Sequence, residues 1–186
     1  MAAAPRLKVL LFADEADIHL NPHRTAGWYL RGTPRPVPAA GTNQRRGIYG
    51  ALDPYAQRLL AHTTRDKSAE GFVEFLRALL RAYRHLHILL VLDNGPIHTA
   101  KIVTAFLLQH AERLTPLWLP KYSPNLNLIE RVWGHLKRAA LANVFFRTPA
   151  RLLVAIHRAI AAFNRRRDWF SKIHFGKYSQ CRGKAA

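Results

Sequence analysis

The chain holds 29 Lys and Arg but only 11 acids, and three of those acids are spaced for shared chemistry. Asp14 follows an apolar run at 8–12, and Asp93 follows another at 87–92. Glu130 lies in a helical pattern after a third run at 114–119. The carboxyl edge of buried strands is where α/β sheets bind ligands. Three carboxylates gathered there repel and raise one another's pKa unless a cation lies among them. Hard oxygen donors select Mg²⁺ or Mn²⁺. Two such ions about 4 Å apart activate water or a 3′-hydroxyl and stabilise the leaving oxygen of a phosphodiester.

Other readings of the same acids exist. Glu130 could balance Arg131, Lys137 and Arg138 on a surface helix. Glu15 or Asp17 could replace Asp14 as the first ligand. In an extended segment Asp14 and Glu15 point to opposite faces, so both cannot enter one site. His19 and His23 have metal-ligand spacing only on a helix, and Pro22 argues against one there.

The elements that position these acids are legible in the patterning. The runs at 8–12, 87–92 and 114–119 read as strands buried on both faces. A turn-rich excursion occupies 18–38, with Gly27, Gly32, Pro34, Pro36 and Pro38. Segments 46–52 and 57–63 form a hairpin around Asp53-Pro54. Ser68 caps a helix at 69–84 whose apolar residues, Phe72 to Tyr83, follow the helical period. A second helix covers 99–110. A third, within the stretch 119–137, carries Glu130 beside an apolar stripe of Ile129, Val132, Leu136 and Ala140. Gly134 leaves open space near the carboxylate, and Trp118, Trp133 and Trp169 are expected in packing roles. Thr148 with Pro149 opens a last helix, to about residue 167. Strands that cluster and then alternate with helices imply a mixed α/β sheet with helices on its faces. Three of its strands are parallel.

A formal net charge of +18 favours a polyanionic partner. The longest apolar runs are too short to span a bilayer, and the start lacks a signal-peptide pattern. The single cysteine, Cys181, excludes an internal disulfide framework and a Cys-based zinc site. An intracellular, nucleic-acid-facing protein without a membrane segment is expected.

The segments FADE (12–15), DNGPIH (93–98) and YSPNLNLIERVWGHLK (122–137) resemble the three catalytic blocks of DDE transposases. The resemblance points to the bacterial insertion-sequence branch of the Tc/mariner superfamily and runs from about residue 9 to 175. Thirty-six residues separate Asp93 from Glu130, close to the interval typical of that group. The resemblance implies a ribonuclease H-like fold over 1–175, with a disordered tail at 176–186. It implies catalysis and metal binding by Asp14, Asp93 and Glu130, with two Mg²⁺ or Mn²⁺ ions. Asn94 and His98 match polar positions that orient Asp93 or touch the DNA backbone. Lys121, Arg131 and Lys137 complete the candidate supporting or DNA-contacting set. The implied partners are DNA (transposon ends and target) and a second copy of the chain, in a bacterial cytoplasm. Leu128 stands where the family commonly has proline, which implies a slightly altered helix start. Helix-turn-helix domains that precede the catalytic domain in full transposases are expected to be absent, fused elsewhere or supplied by a separate chain. The alternatives are another ribonuclease H-like nuclease or resolvase, and a DNA-binding remnant without catalysis.

Overall fold

The computed structural model describes residues 7–166, apart from 27, 29, 34, 35, 40, 43 and 122. Residues 167–186, which include Trp169 and the expected tail, lie outside this range. Five strands form one mixed sheet in the order β3-β2-β1-β4-β5. They are β1 (Lys8–His19), β2 (Arg45–Asp53), β3 (Arg58–Thr64), β4 (His87–Leu92) and β5 (Leu114–Trp118). β1, β4 and β5 run parallel, while β2 and β3 form the antiparallel hairpin.

β1 corrects the sequence reading. The apolar run at 8–12 is only its first half. From Lys8 to Phe12 it pairs with β4, and from Phe12 to His19 it continues against β2 alone. Asp14 therefore sits inside a strand rather than just past its end. The second half was hidden because its pattern changes from continuous apolar to alternating, with Ala16 and Ile18 inward and acids at 15 and 17. The turn-rich excursion starts after His19 instead of at residue 18.

Alternation along β1 divides the interior into two cores. Phe12, Ala16 and Ile18 face one side, with α3 (Leu128–Leu136) and α4 (Pro149–Arg165). Val9, Leu11 and Ala13 face the other, with α1 (Ala69–Ala82) and α2 (Lys101–Gln109). Ser68 caps α1 by accepting from the Gly71 amide at 3.1 Å, and Thr148 caps α4 by accepting from the Arg151 amide. The third strand also departs from expectation. β5 is an edge strand in which Leu117 and Trp118 are 40% and 42% exposed. Trp118 is thus no core residue, whereas Trp133 is buried.

α3 lies close against the sheet because β2 offers it a glycine. Gly50 pairs with Asp14. A Cβ on Gly50 would meet the Trp133 ring at 2.5 Å and Ile129 at 3.0 Å. Both neighbours are buried, so neither can swing away freely. Asn127 adds a polar tie, its Nδ2 donating to the carbonyl of Ala13 at 3.0 Å. Gly50→Ala is predicted to lower stability by about 1–3 kcal/mol, the usual cost of overpacking. Urea unfolding followed by circular dichroism measures it, and an unchanged midpoint would contradict this close packing.

Candidate active site

Three elements bring the predicted acids to one edge of the sheet. Asp14 stands where β1 parts from β4, whose last shared pair is Phe12 with Val91. Asp93 follows the last residue of β4. Glu130 occupies the first turn of α3, where a carboxylate suits the positive end of the helix dipole. Asp14 is buried, and Glu130 is exposed.

The electrostatics of Asp14 report the crowding. Burial is the largest influence, and the charges of Glu130, Glu15 and Asp93 add to it. Together they raise its carboxyl to about 7. Among the described residues no three His, Cys, Asp or Glu side chains already converge on a ligating position. The donor chemistry nonetheless fits a hard divalent cation. Three carboxylates from separate elements lie near enough to interact, and the buried one is disfavoured as an anion without a counter-charge.

Asp93 is held from beneath. Its Oδ1 accepts from the Gly95 amide at 2.9 Å and lies 2.6 Å from His98 Nδ1. His98 is fully buried and packs against Phe72 in a tilted arrangement, with ring centroids 4.6 Å apart. Its Nε2 lies 2.8 Å from Glu15 Oε2. The contact is an ion pair rather than a hydrogen bond, and neither atom has a hydrogen-bond partner among the described residues. Burial pushes the His98 pKa down, but Glu15 and Asp93 outweigh it and the net direction is up. Each ring nitrogen faces a carboxylate oxygen, and two nearby negative charges favour the protonated imidazolium.

The supporting residues separate into distinct places. His98 is buried and faces Asp93 rather than solvent. Asn94 is exposed beside Asp93; its Nδ2 donates to the Leu119 carbonyl at 2.6 Å, tying the end of β4 to the chain after β5. Lys121 lines a cleft of about 410 Å³ with Asp93, Asn94 and Ser123, which puts a cation beside Asp93. Arg131 is exposed on α3 next to Glu130. Lys137 is elsewhere, in a pocket of about 320 Å³ with Asp17, His19 and His23. Asp17 is engaged by Lys67 at 3.0 Å, which sets it apart from the three acids at the edge. Glu15 points away from Asp14, as strand alternation requires.

Two residues that shape the site escaped the sequence reading. Asn127 looks like a helix cap, yet its side chain makes no capping bond and binds β1 beside Asp14 instead. Gly50 faces Asp14 across the β1–β2 ladder, a relation visible only once the register is known.

Comparison with known proteins bears on the family and the fold. A family model described as DDE superfamily endonuclease matches residues 9–153. The insertion element IS630 uncharacterized 39 kDa protein of Shigella sonnei is 33% identical over 128 residues. That match takes in 68% of this chain but 37% of the relative, so the chain spans little more than a third of that protein's length. Among solved structures, the Mos1 mariner paired end complex with Mn superposes with a TM-score of 0.65 at 22% identity, covering 89% of this chain and 51% of the other. The Mos1 transposase catalytic domain with Raltegravir and Mg gives 0.59 at 18% identity, covering 89% and 76%. The shared fold is the ribonuclease H-like mixed sheet.

A carboxyl raised to about 7 from an ordinary value of 3.8 ties stability to pH. Below the unfolded value both states hold the proton, and the cost of the charge is absent. As pH rises through the folded value the proton leaves and stability is lost. Without metal, Asp14→Asn is therefore predicted to melt higher than wild type at pH 8, with the gap closing toward pH 4. Thermal melts in EDTA across that range test this, and a gap independent of pH would contradict the raised carboxyl.

Proposed function

Because the chain belongs to the DDE superfamily endonucleases, we propose that it is the catalytic domain of a DNA transposase. It cuts DNA strands and joins them to a target by transesterification. The observation that carries this reading is the arrival of Asp14, Asp93 and Glu130 at one sheet edge from β1, the end of β4 and the first turn of α3. These three residues would hold Mg²⁺ or Mn²⁺, as a pair of ions. When bound, such ions polarise the attacking water or 3′-hydroxyl and stabilise the leaving oxygen.

The chain's own groups have definable tasks in that reaction. Asp14, buried on the strand, fixes the floor of the site. Asp93 is held through Oδ1 and offers Oδ2, which accepts no hydrogen bond among the described residues. Glu130 reaches the edge from a helix that Asn127 and the Trp133–Gly50 contact hold against the sheet. Lys121, in the cleft beside Asp93, suits a phosphate of the strand being cut, and exposed Arg131 a neighbouring one.

DNA is the proposed partner, both as transposon ends and as target. The net charge of +18 supports attachment through phosphates, with steep salt dependence. Sequence is read by base-edge contacts, which this reading gives to helix-turn-helix domains, fused or on a separate chain. A second copy of the chain completes the active complex, in a bacterial cytoplasm. Among the described residues no helix is long and apolar enough to cross a membrane.

Strand joining distinguishes a transposase from a simple nuclease. In Mn²⁺, the protein is predicted to join a labelled duplex bearing a free 3′-hydroxyl into a supercoiled plasmid. Asp14→Asn, Asp93→Asn and Glu130→Gln should each lower joining at least a hundredfold while circular dichroism stays native. Nicking by wild type with no labelled joint product would favour the nuclease reading. Joining that survives any one of the three substitutions would remove that residue from the site.

A further inference from the structure

We propose that Glu15 is a positioning residue for Asp93, acting through His98 from the face of β1 opposite Asp14. The inference rests on the reading of Asp93 as a metal-holding carboxylate and adds a residue that cannot itself reach the metal. Glu15 lies among α1-side residues, one strand position after Asp14. Its contact with the site passes under the sheet, from Oε2 to His98 Nε2 at 2.8 Å and from Nδ1 to Asp93 Oδ1 at 2.6 Å.

Burial gives this chain of contacts its force. Asp93 has a side chain 53% exposed, on a loop, while His98 has none of its side chain exposed and Glu15 has 15%. The exposed carboxylate is thus tied to a buried ring, and the ring to a nearly buried second carboxylate. Phe72 packs against the ring from α1. Asp17, the next residue on Glu15's face, is paired with Lys67 and leaves Glu15 to the imidazole. Without the Glu15 carboxylate, buried His98 Nε2 would lose its ion-pair contact and be left without a polar neighbour to compensate it, a costly state. The ring would then turn or exchange tautomer to relieve it. Either movement leaves Oδ1 held by the Gly95 amide alone and loosens the Asp93 carboxylate at the edge. Partners that orient metal ligands in this way commonly change metal affinity by about 10–100-fold when removed.

The test reads the linkage and the metal separately. In metal-free, ¹⁵N-histidine-labelled protein, the His98 Nδ1 proton should give a far-downfield signal, assigned by its loss in His98→Gln. Glu15→Leu should abolish or strongly shift that signal and weaken Mn²⁺ binding about tenfold, with native circular dichroism. Glu15→Gln, which keeps an acceptor but not the charge, should move the signal less and recover most of the affinity. Asp17→Asn should change neither. A folded Glu15→Leu protein with an unmoved signal and unchanged Mn²⁺ affinity would overturn the proposal. If Glu15→Leu does not fold, Glu15→Gln decides: an unmoved signal overturns the linkage. Equal Mn²⁺ binding by wild type and Asp93→Asn would instead refute the metal reading of Asp93, while the proton signal still judges the contact between Glu15, His98 and Asp93.

Discussion

Repulsion among carboxylates at one edge of the sheet is the constraint that the rest of the structure answers. Asp14 is buried on β1, with Glu130, Glu15 and Asp93 near enough to raise its carboxyl to about 7. Left to side-chain freedom, the acids would swing apart into water. The fold prevents this by anchoring each to a different rigid element. β1 is clamped between β2 and β4 at Phe12, and α3 is pressed onto Gly50 and tied by Asn127 to the backbone beside Asp14. Asp93 is gripped by His98 and the Gly95 amide. An arrangement this unfavourable in its charges becomes reasonable where a divalent cation is the intended counter-charge.

The two faces of the sheet divide the labour. The α3–α4 face brings Asp14 and Glu130 together and packs on the sheet through Trp133, Ile129 and Val132. The α1–α2 face contributes no carboxylate to the edge directly. It holds Glu15, His98 and Phe72, which steady Asp93 from behind. A single two-residue step in β1, Asp14 then Glu15, therefore serves both faces, because a strand turns successive side chains to opposite sides.

Much of this was legible in the sequence, for identifiable reasons. Continuous apolar runs revealed β4 and the first half of β1, and the cap residues Ser68 and Thr148 located α1 and α4. That three strands run parallel followed from the order of elements, whereas the pairing of β1 with β4 is seen only in the sheet. What stayed hidden depended on contacts distant in sequence. The second half of β1 carries acids on one face and reads as a loop unless its partner β2 is known. β5 looks like a buried strand, yet its place at the edge exposes Leu117 and Trp118. Asn127 resembles an ordinary cap, Gly50 an ordinary strand glycine, and His98 a surface polar residue of a loop motif. Each acquires its role only from the register of β1 with its neighbours.

The account stands most directly on whether Asp14, Asp93 and Glu130 share one divalent-cation site. Titration of Mn²⁺ followed by electron paramagnetic resonance measures this without requiring DNA or turnover. The account predicts saturable Mn²⁺ binding by wild type, weakened at least tenfold by each of Asp14→Asn, Asp93→Asn and Glu130→Gln, with Asp17→Asn unchanged. Full-strength binding in any of the three folded variants, or loss of it in Asp17→Asn, would contradict the shared site.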